Sequence, residues 1–85
     1  MNPHFASLVM GLAAQAEAAL QGQVPPGVEG VSTADLRQAA QAMIDTLGML
    51  EEKTRGRLTK EEEHLLTEAL TGLRFRFVQA TGPSH

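Results

Sequence analysis

The chain has no cysteine, no tryptophan and no tyrosine, and only three phenylalanines among its 85 residues. Without cysteine there is neither a disulfide to staple a small fold nor a thiolate to hold a metal, a composition that suits a reducing compartment. Without Trp or Tyr, packing falls to aliphatic side chains and alanine, and the aromatic platforms on which single-stranded nucleic acid stacks are missing. Surplus positive charge is missing too. A formal net charge of −3 argues against nucleic-acid binding by bulk charge and leaves only a local basic patch open. No stretch is long and apolar enough to span a bilayer. Phe5 to Leu20 is interrupted by Gln15 and Glu17 and is rich in alanine, short of the roughly 20 strongly apolar residues required. No Lys or Arg precedes Phe5, so this stretch does not read as a signal peptide despite Ala16-Glu17-Ala18, and the expected location is cytoplasmic.

What is present is helical punctuation. Gly56 follows Lys53 and Arg55, the arrangement of a helix C′ glycine behind a basic last turn. Thr59 and Glu62 then form a T-x-x-E capping box, with Lys60 to Glu63 placing carboxylates at the positive end of the next helix. Stop and start signals this close predict an antiparallel αα-hairpin. Upstream, Asn2 and Pro3 suit a helix start. Phe5, Leu8, Val9, Leu12, Ala13, Ala16, Ala19 and Leu20 follow at helical spacing. The opposite side carries Ser7, Gly11, Ala14, Gln15 and Ala18, with Glu17 the only formal charge, which fits either a helix sandwiched in an oligomer or a bland solvent face. Gly22 to Val31 is a Pro/Gly connector, stiffest at Pro25-Pro26-Gly27, with Val24, Val28 and Val31 available to pin it. Ser32 to Asp35 is a second capping box. Leu36, Ala40, Met43, Leu47 and Leu50 form a heptad-like seam with Ile44 on its flank, and Gly48 marks a close helix contact. In the last helix Leu65, Leu66, Ala69, Leu70, Leu73, Phe77 and Val78 make a wider face than one partner helix can cover.

The expectation is one all-α domain over residues 1–80: helix 1 about 3–21, a connector at 22–31, helix 2 about 33–55, helix 3 about 60–79, and a flexible tail at 81–85. A chain this short buries only about 60–65% of the surface its unfolded form exposes, so homo-oligomerisation is the expected supplement.

The run Ala42-Met43-Ile44-Asp45-Thr46-Leu47, then Met49-Leu50-Glu51-Glu52-Lys53-Thr54, Gly56, Leu58-Thr59 and Glu62, closely resembles the small bacterial domain-of-unknown-function family numbered 1844. The likeness continues through Leu65-Leu66, Leu70, Leu73-Arg74 and Phe77-Val78. It covers roughly Phe5 to Val78 and is most specific from Ile44 onward. Arg57 departs from the asparagine associated with the position after the turn glycine. The resemblance implies a compact helical protein without an established activity.

Few constellations suggest chemistry. Glu61, His64 and Glu68 share a helix face and include a Glu-x-x-His spacing, readable as part of a carboxylate metal site or as a solvated charged face; the second is preferred, and no metal or cofactor is expected. His4 and His85 lie near the termini without an identifiable partner. Asp45 lacks a visible second catalytic group and reads as solvent-facing or as bridged to a helix 3 arginine. No phosphate-binding glycine loop or nucleophile elbow is present, so an enzyme is not expected. Lys53, Arg55, Arg57 and Lys60 crowd the hairpin turn, while Arg37, Arg74 and Arg76 are expected to meet at the opposite end. Ion pairing with Glu51, Glu52 and Glu61 to Glu63 is the plain account of the turn cations, and an anion or RNA contact is the alternative.

The reading is therefore a non-enzymatic, homo-oligomeric interaction or adaptor module, a dimer first, open to a protein partner and not to a membrane. Leu8, Leu12, Leu66, Leu73 and Phe77 are the candidates for contacts buried in the bundle or its interface. The runner-up is an accessory protein docking on RNA or a ribonucleoprotein through Lys53, Arg55, Arg57 and Lys60.

Overall fold

The computed structural model describes residues 1–24, 27 and 30–81. It has three helices, α1 (Pro3–Leu20), α2 (Thr33–Lys53) and α3 (Lys60–Thr81), each packed against the other two, with no strand among the described residues. Pro25, Pro26 and Val28 of the connector lie outside the described residues, as do positions 82–85 of the tail.

Each helix begins where the sequence places a cap. The Asn2 side chain accepts from the backbone N–H groups of His4 (2.8 Å) and Phe5 (3.1 Å), with Pro3 at the first helical position, where its missing N–H would have no partner anyway. Ser32 and Asp35 exchange side-chain and backbone bonds at the start of α2. Thr59 and Glu62 do the same before α3: the Glu62 N–H donates to Thr59 Oγ1 (3.1 Å) and the Thr59 N–H donates to Glu62 Oε1 (2.9 Å).

The helix ends differ from one another. After α1, Gly22 takes φ +81°, its N–H bonds the Ala19 carbonyl, and the Gln23 N–H bonds the Ala18 carbonyl, the two bonds of a Schellman motif. α2 stops at Lys53, earlier than the sequence reading: the Thr54 N–H and hydroxyl both donate to the Leu50 carbonyl, at 2.9 and 2.6 Å, and the Arg55 N–H then turns to the Glu52 carbonyl at 3.4 Å. Gly56 (φ +81°) does enter the left-handed region, but as a turn residue rather than as the helix C′ position. It lets the Arg57 N–H close on the Thr54 carbonyl at 2.9 Å.

The core draws on all three helices: Val9 and Ala16 from α1, Ile44 and Leu47 from α2, and Leu66, Leu70 and Leu73 from α3, with Phe5, Leu12, Met43, Leu50 and Phe77 packed around them. Two long-range contacts fix how α1 meets α3. The Asn2 N–H donates to Glu62 Oε2 at 2.8 Å at one end, and Arg76 Nη1 lies 3.0 Å from Glu17 Oε1 at the other. Because early pairs with early and late with late, α1 and α3 run in the same direction.

The expectation of a close helix contact at Gly48 needs amendment. What approaches is the tip of a side chain: a Cβ at this position would stand 3.3 Å from Arg74 Nη2. A guanidinium on a flexible stem can shift by a few tenths of an ångström, so Gly48→Ala should keep the helix-propensity gain. It is expected to raise stability by up to about 1 kcal/mol in urea unfolding. A loss of stability would mean that Arg74 is locked in place.

Candidate functional site

Glu62 is the most constrained charged group described. It is only 7% exposed, and its carboxylate serves two backbone N–H groups at once, those of Thr59 and Asn2. These backbone bonds, Thr59 first and then Asn2, hold its carboxyl below the ordinary value of 4.5, with the Thr59 hydroxyl and the chain's amino terminus adding smaller contributions. Its carboxylate is engaged by main-chain amides beside the Thr59 hydroxyl, and it ties the first turn of α1 to the first turn of α3.

Beside that tie, α1 and α3 enclose an open groove of about 690 Å³. Val9, Ala13, Leu65 and Ala69 form its apolar lining, Met1 and Met10 stand exposed along it, and Glu17, Glu61 and Glu68 supply the charge. No Lys or Arg lines it. His64 Nε2 lies 2.9 Å from Glu68 Oε1, both side chains well exposed, so this pair belongs to the groove rim. Glu61, His64 and Glu68 are not gathered into a metal cage; among the described residues no group of three His, Cys, Asp or Glu is placed to hold an ion.

The turn cations are exposed, and the expected ion pairs with Glu51, Glu52 and Glu61 to Glu63 are not formed. Among the described residues the two ion pairs are His64–Glu68 and Arg76–Glu17. Arg55 and Lys60 line a recess of about 520 Å³ together with Glu51, Glu63 and His64, a mixed lining that lowers its positive potential. Arg37, Arg74 and Arg76, expected to meet at the opposite end, each have a different neighbour. Arg74 reaches Gly48, Arg76 bonds α1, and Arg37 lines a small recess with Ala19, Leu20, Thr33 and Ala80. Asp45 is exposed and accepts from Gln41 Nε2 at 2.8 Å, so it has no bridge to a helix 3 arginine. His4 is exposed.

The five apolar candidates divide. Leu66 and Leu73 are buried inside the chain, Leu12 and Phe77 pack partly against the core, and Leu8 is 48% exposed. The sequence reading missed Phe75, 63% exposed, and it placed Val78, 65% exposed, on the packed face. Helical rotation explains both: with Leu66, Leu70 and Leu73 turned inward, Phe77 continues the packed side while Phe75 and Val78 fall outside it.

A family model described as Domain of unknown function (DUF1844) matches residues 2–79. The chain belongs to that family. The match spans all of α1 and α2 and nearly all of α3, so the caps, the basic turn and every groove residue except Met1 of this DUF1844 chain lie within it. No curated protein matches, and no solved structure matches. No helix among the described residues is long and apolar enough to cross a membrane.

Proposed function

We propose that this DUF1844 chain is a non-enzymatic helical module, without a cofactor, that assembles with itself and acts as an interaction or adaptor element in the cytoplasm. In this reading α2 and α3 form an antiparallel hairpin that serves as the rigid unit, and a two-fold dimer is the first choice of assembly. The observation that carries it is unsatisfied apolar surface. Met1, Leu8, Met10, Phe75 and Val78 are all about half exposed or more. The chain's accessible area of 5817 Å² also exceeds the roughly 4,900 Å² expected for a compact monomer of 9.1 kDa. A radius of gyration of 13.8 Å, against about 12 Å expected for this length, points the same way, as does a thickness of only 16 Å.

A second reading, docking on RNA or a ribonucleoprotein, is favoured by the exposed Lys53, Arg55, Arg57 and Lys60, which lack ion-pair partners among the described residues. Molar mass by light scattering at several concentrations, in low and high salt, separates the two. Self-assembly through apolar surface predicts a dimer that persists in high salt. A monomer that retards RNA only at low salt, and stops doing so when Arg55 and Arg57 become alanine, would favour the second reading.

A further inference from the structure

Asp35, Ala39, Ala42, Thr46, Met49 and Lys53 follow one another along α2 at steps of four and three. At about 3.6 residues per turn, the first and the last stand about five whole turns apart and so lie on one line along the helix. Ala39 is half-buried and the other five are exposed, Met49 by 46%. The stripe carries charge only at its ends, an acid in the first turn of α2 and a base in the last. Asp35 accepts the Ser32 N–H through Oδ2, which leaves Oδ1 to a second donor, and Lys53 has no ion-pair partner among the described residues. In the middle, Thr46 Oγ1 donates to the Ala42 carbonyl at 2.9 Å, so its hydroxyl proton keeps a partner when this side is covered. Beside Ala39 opens a groove of about 670 Å³ between α1 and α2, lined by Ala18, Ala19, Val31, Leu36 and Met43, in which Asp35 is the only charged lining residue. Leu8, 48% exposed, stands about two turns before the groove residue Gln15 and extends the same side of α1.

A stripe that is acidic at one end, basic at the other and uncharged between is complementary to itself when turned end for end. We propose that this side of α2, with the groove beside it, is the self-association surface: α2 pairs antiparallel with α2 of a second copy, about a two-fold axis at the level of Ile44. This rests on the self-assembling reading above and adds the face, the register and the orientation. Such an axis sets Asp35 against Lys53 of the other copy, Ala39 against Met49 and Ala42 against Thr46, the members of each pair standing equally far from it. Each exposed Met49 then lies over a small Ala39, where its flexible thioether enters the other copy's groove. The small side chains of Ala42 and Thr46 let the two helices approach closely at the axis. Antiparallel pairing also brings the positive N-terminal end of each α2 beside the negative C-terminal end of the other. A parallel pairing would face Asp35 with Asp35 and Lys53 with Lys53, so these charges select the orientation more than they add affinity. Asp45 and Glu52 lie about a quarter turn off the stripe, and Asp45, bonded to Gln41, stays at the solvent rim. The interface is isologous, so each copy both inserts a Met49 and receives one, and the contact closes at two copies.

The chain has no cysteine, so the register can be tested directly. Ala39→Cys combined with Met49→Cys in one chain, treated with a short bis-maleimide, should give a covalent dimer on a denaturing gel, whereas either substitution alone should leave single chains. Within one copy the two positions stand about 15 Å apart along the helix, and in the proposed pairing so do like positions of the two copies. Independently, Met49→Lys should weaken the dimer at least about tenfold by light scattering while keeping the wild-type helical circular dichroism, because the side chain it replaces is exposed. Three results would each overturn the α2 pairing and leave self-assembly standing through another register or face. They are cross-linking by either single cysteine, no cross-link in a double variant that still dimerises, and a Met49→Lys protein that dimerises like wild type. A wild-type chain that stays monomeric at every concentration would overturn both.

Discussion

Leu70→Ala is expected to remove about 3 kcal/mol of stability, measured as a shift of the urea midpoint at fixed protein concentration. Leu70 sits midway along α3 and is 1% exposed, and the large, fully buried side chains are few: Leu47, Leu66, Leu70 and Val9. A domain of this size has a total stability on the order of 4–13 kcal/mol, so one cavity among so few large side chains takes a sizeable share of it. Its neighbours in the core, among them Leu47, Leu66 and Leu73, are already buried against other side chains, so the gap is filled only in part. The matching control is Leu8→Ala. Leu8 is as large but about half exposed, and its truncation should change stability by no more than about 0.5 kcal/mol in a monomer. Equal losses at the two sites would mean that the packing described for α3 is wrong.

The contrast between Leu70 and Phe75 shows which parts of the fold the sequence can carry. Caps depend on residues three or four apart, so Asn2, Ser32 with Asp35, and Thr59 with Glu62 could be read before any tertiary structure was known, and all three are formed. The Schellman end of α1 and the left-handed Gly56 are equally local, although α2 ends before the turn glycine, where the Arg55 N–H shifts to the Glu52 carbonyl. Apolar spacing found the three helices and most of the core. It could not rank Phe75, Phe77 and Val78, because which of them packs is decided by the rotation of α3 against two neighbours. Arg74 and Arg76 lie two apart on a helix and so point to different partners, Gly48 in one case and Glu17 in the other. The candidate groove was invisible for the same reason: its wall comes from α1 and α3, which are separated by an entire helix in the chain and brought side by side only by the fold.

Glu62→Gln should uncouple the start of α1 from the start of α3 and remove part of the acid sensitivity of folding. Glutamine has one carbonyl oxygen where the carboxylate has two, so it can accept from the Thr59 N–H or from the Asn2 N–H but not from both. Its amide group would turn a donor toward the other donor. Since the Asn2 side chain also caps α1, losing the bond from its N–H loosens the whole first turn. Hydrogen exchange at His4 and Phe5, whose N–H groups that side chain accepts, should quicken along with exchange at Thr59. The pH dependence follows from the direction of the shift. The Glu62 carboxyl titrates below 4.5 in the folded chain, so the unfolded chain takes up its proton first. Its contribution is therefore complete above the unfolded value and is lost as the pH falls through the folded one. The stability gap between wild type and Glu62→Gln should be widest at neutral pH and narrow as the pH falls below the ordinary value of 4.5 and through the lower folded one. The other carboxylates are common to both proteins, which is why the difference is the quantity to follow. A gap that does not change with pH would show that the carboxylate's charge contributes nothing to the tie, and unchanged exchange at His4 and Phe5 would show that α1 is held to α3 by packing alone.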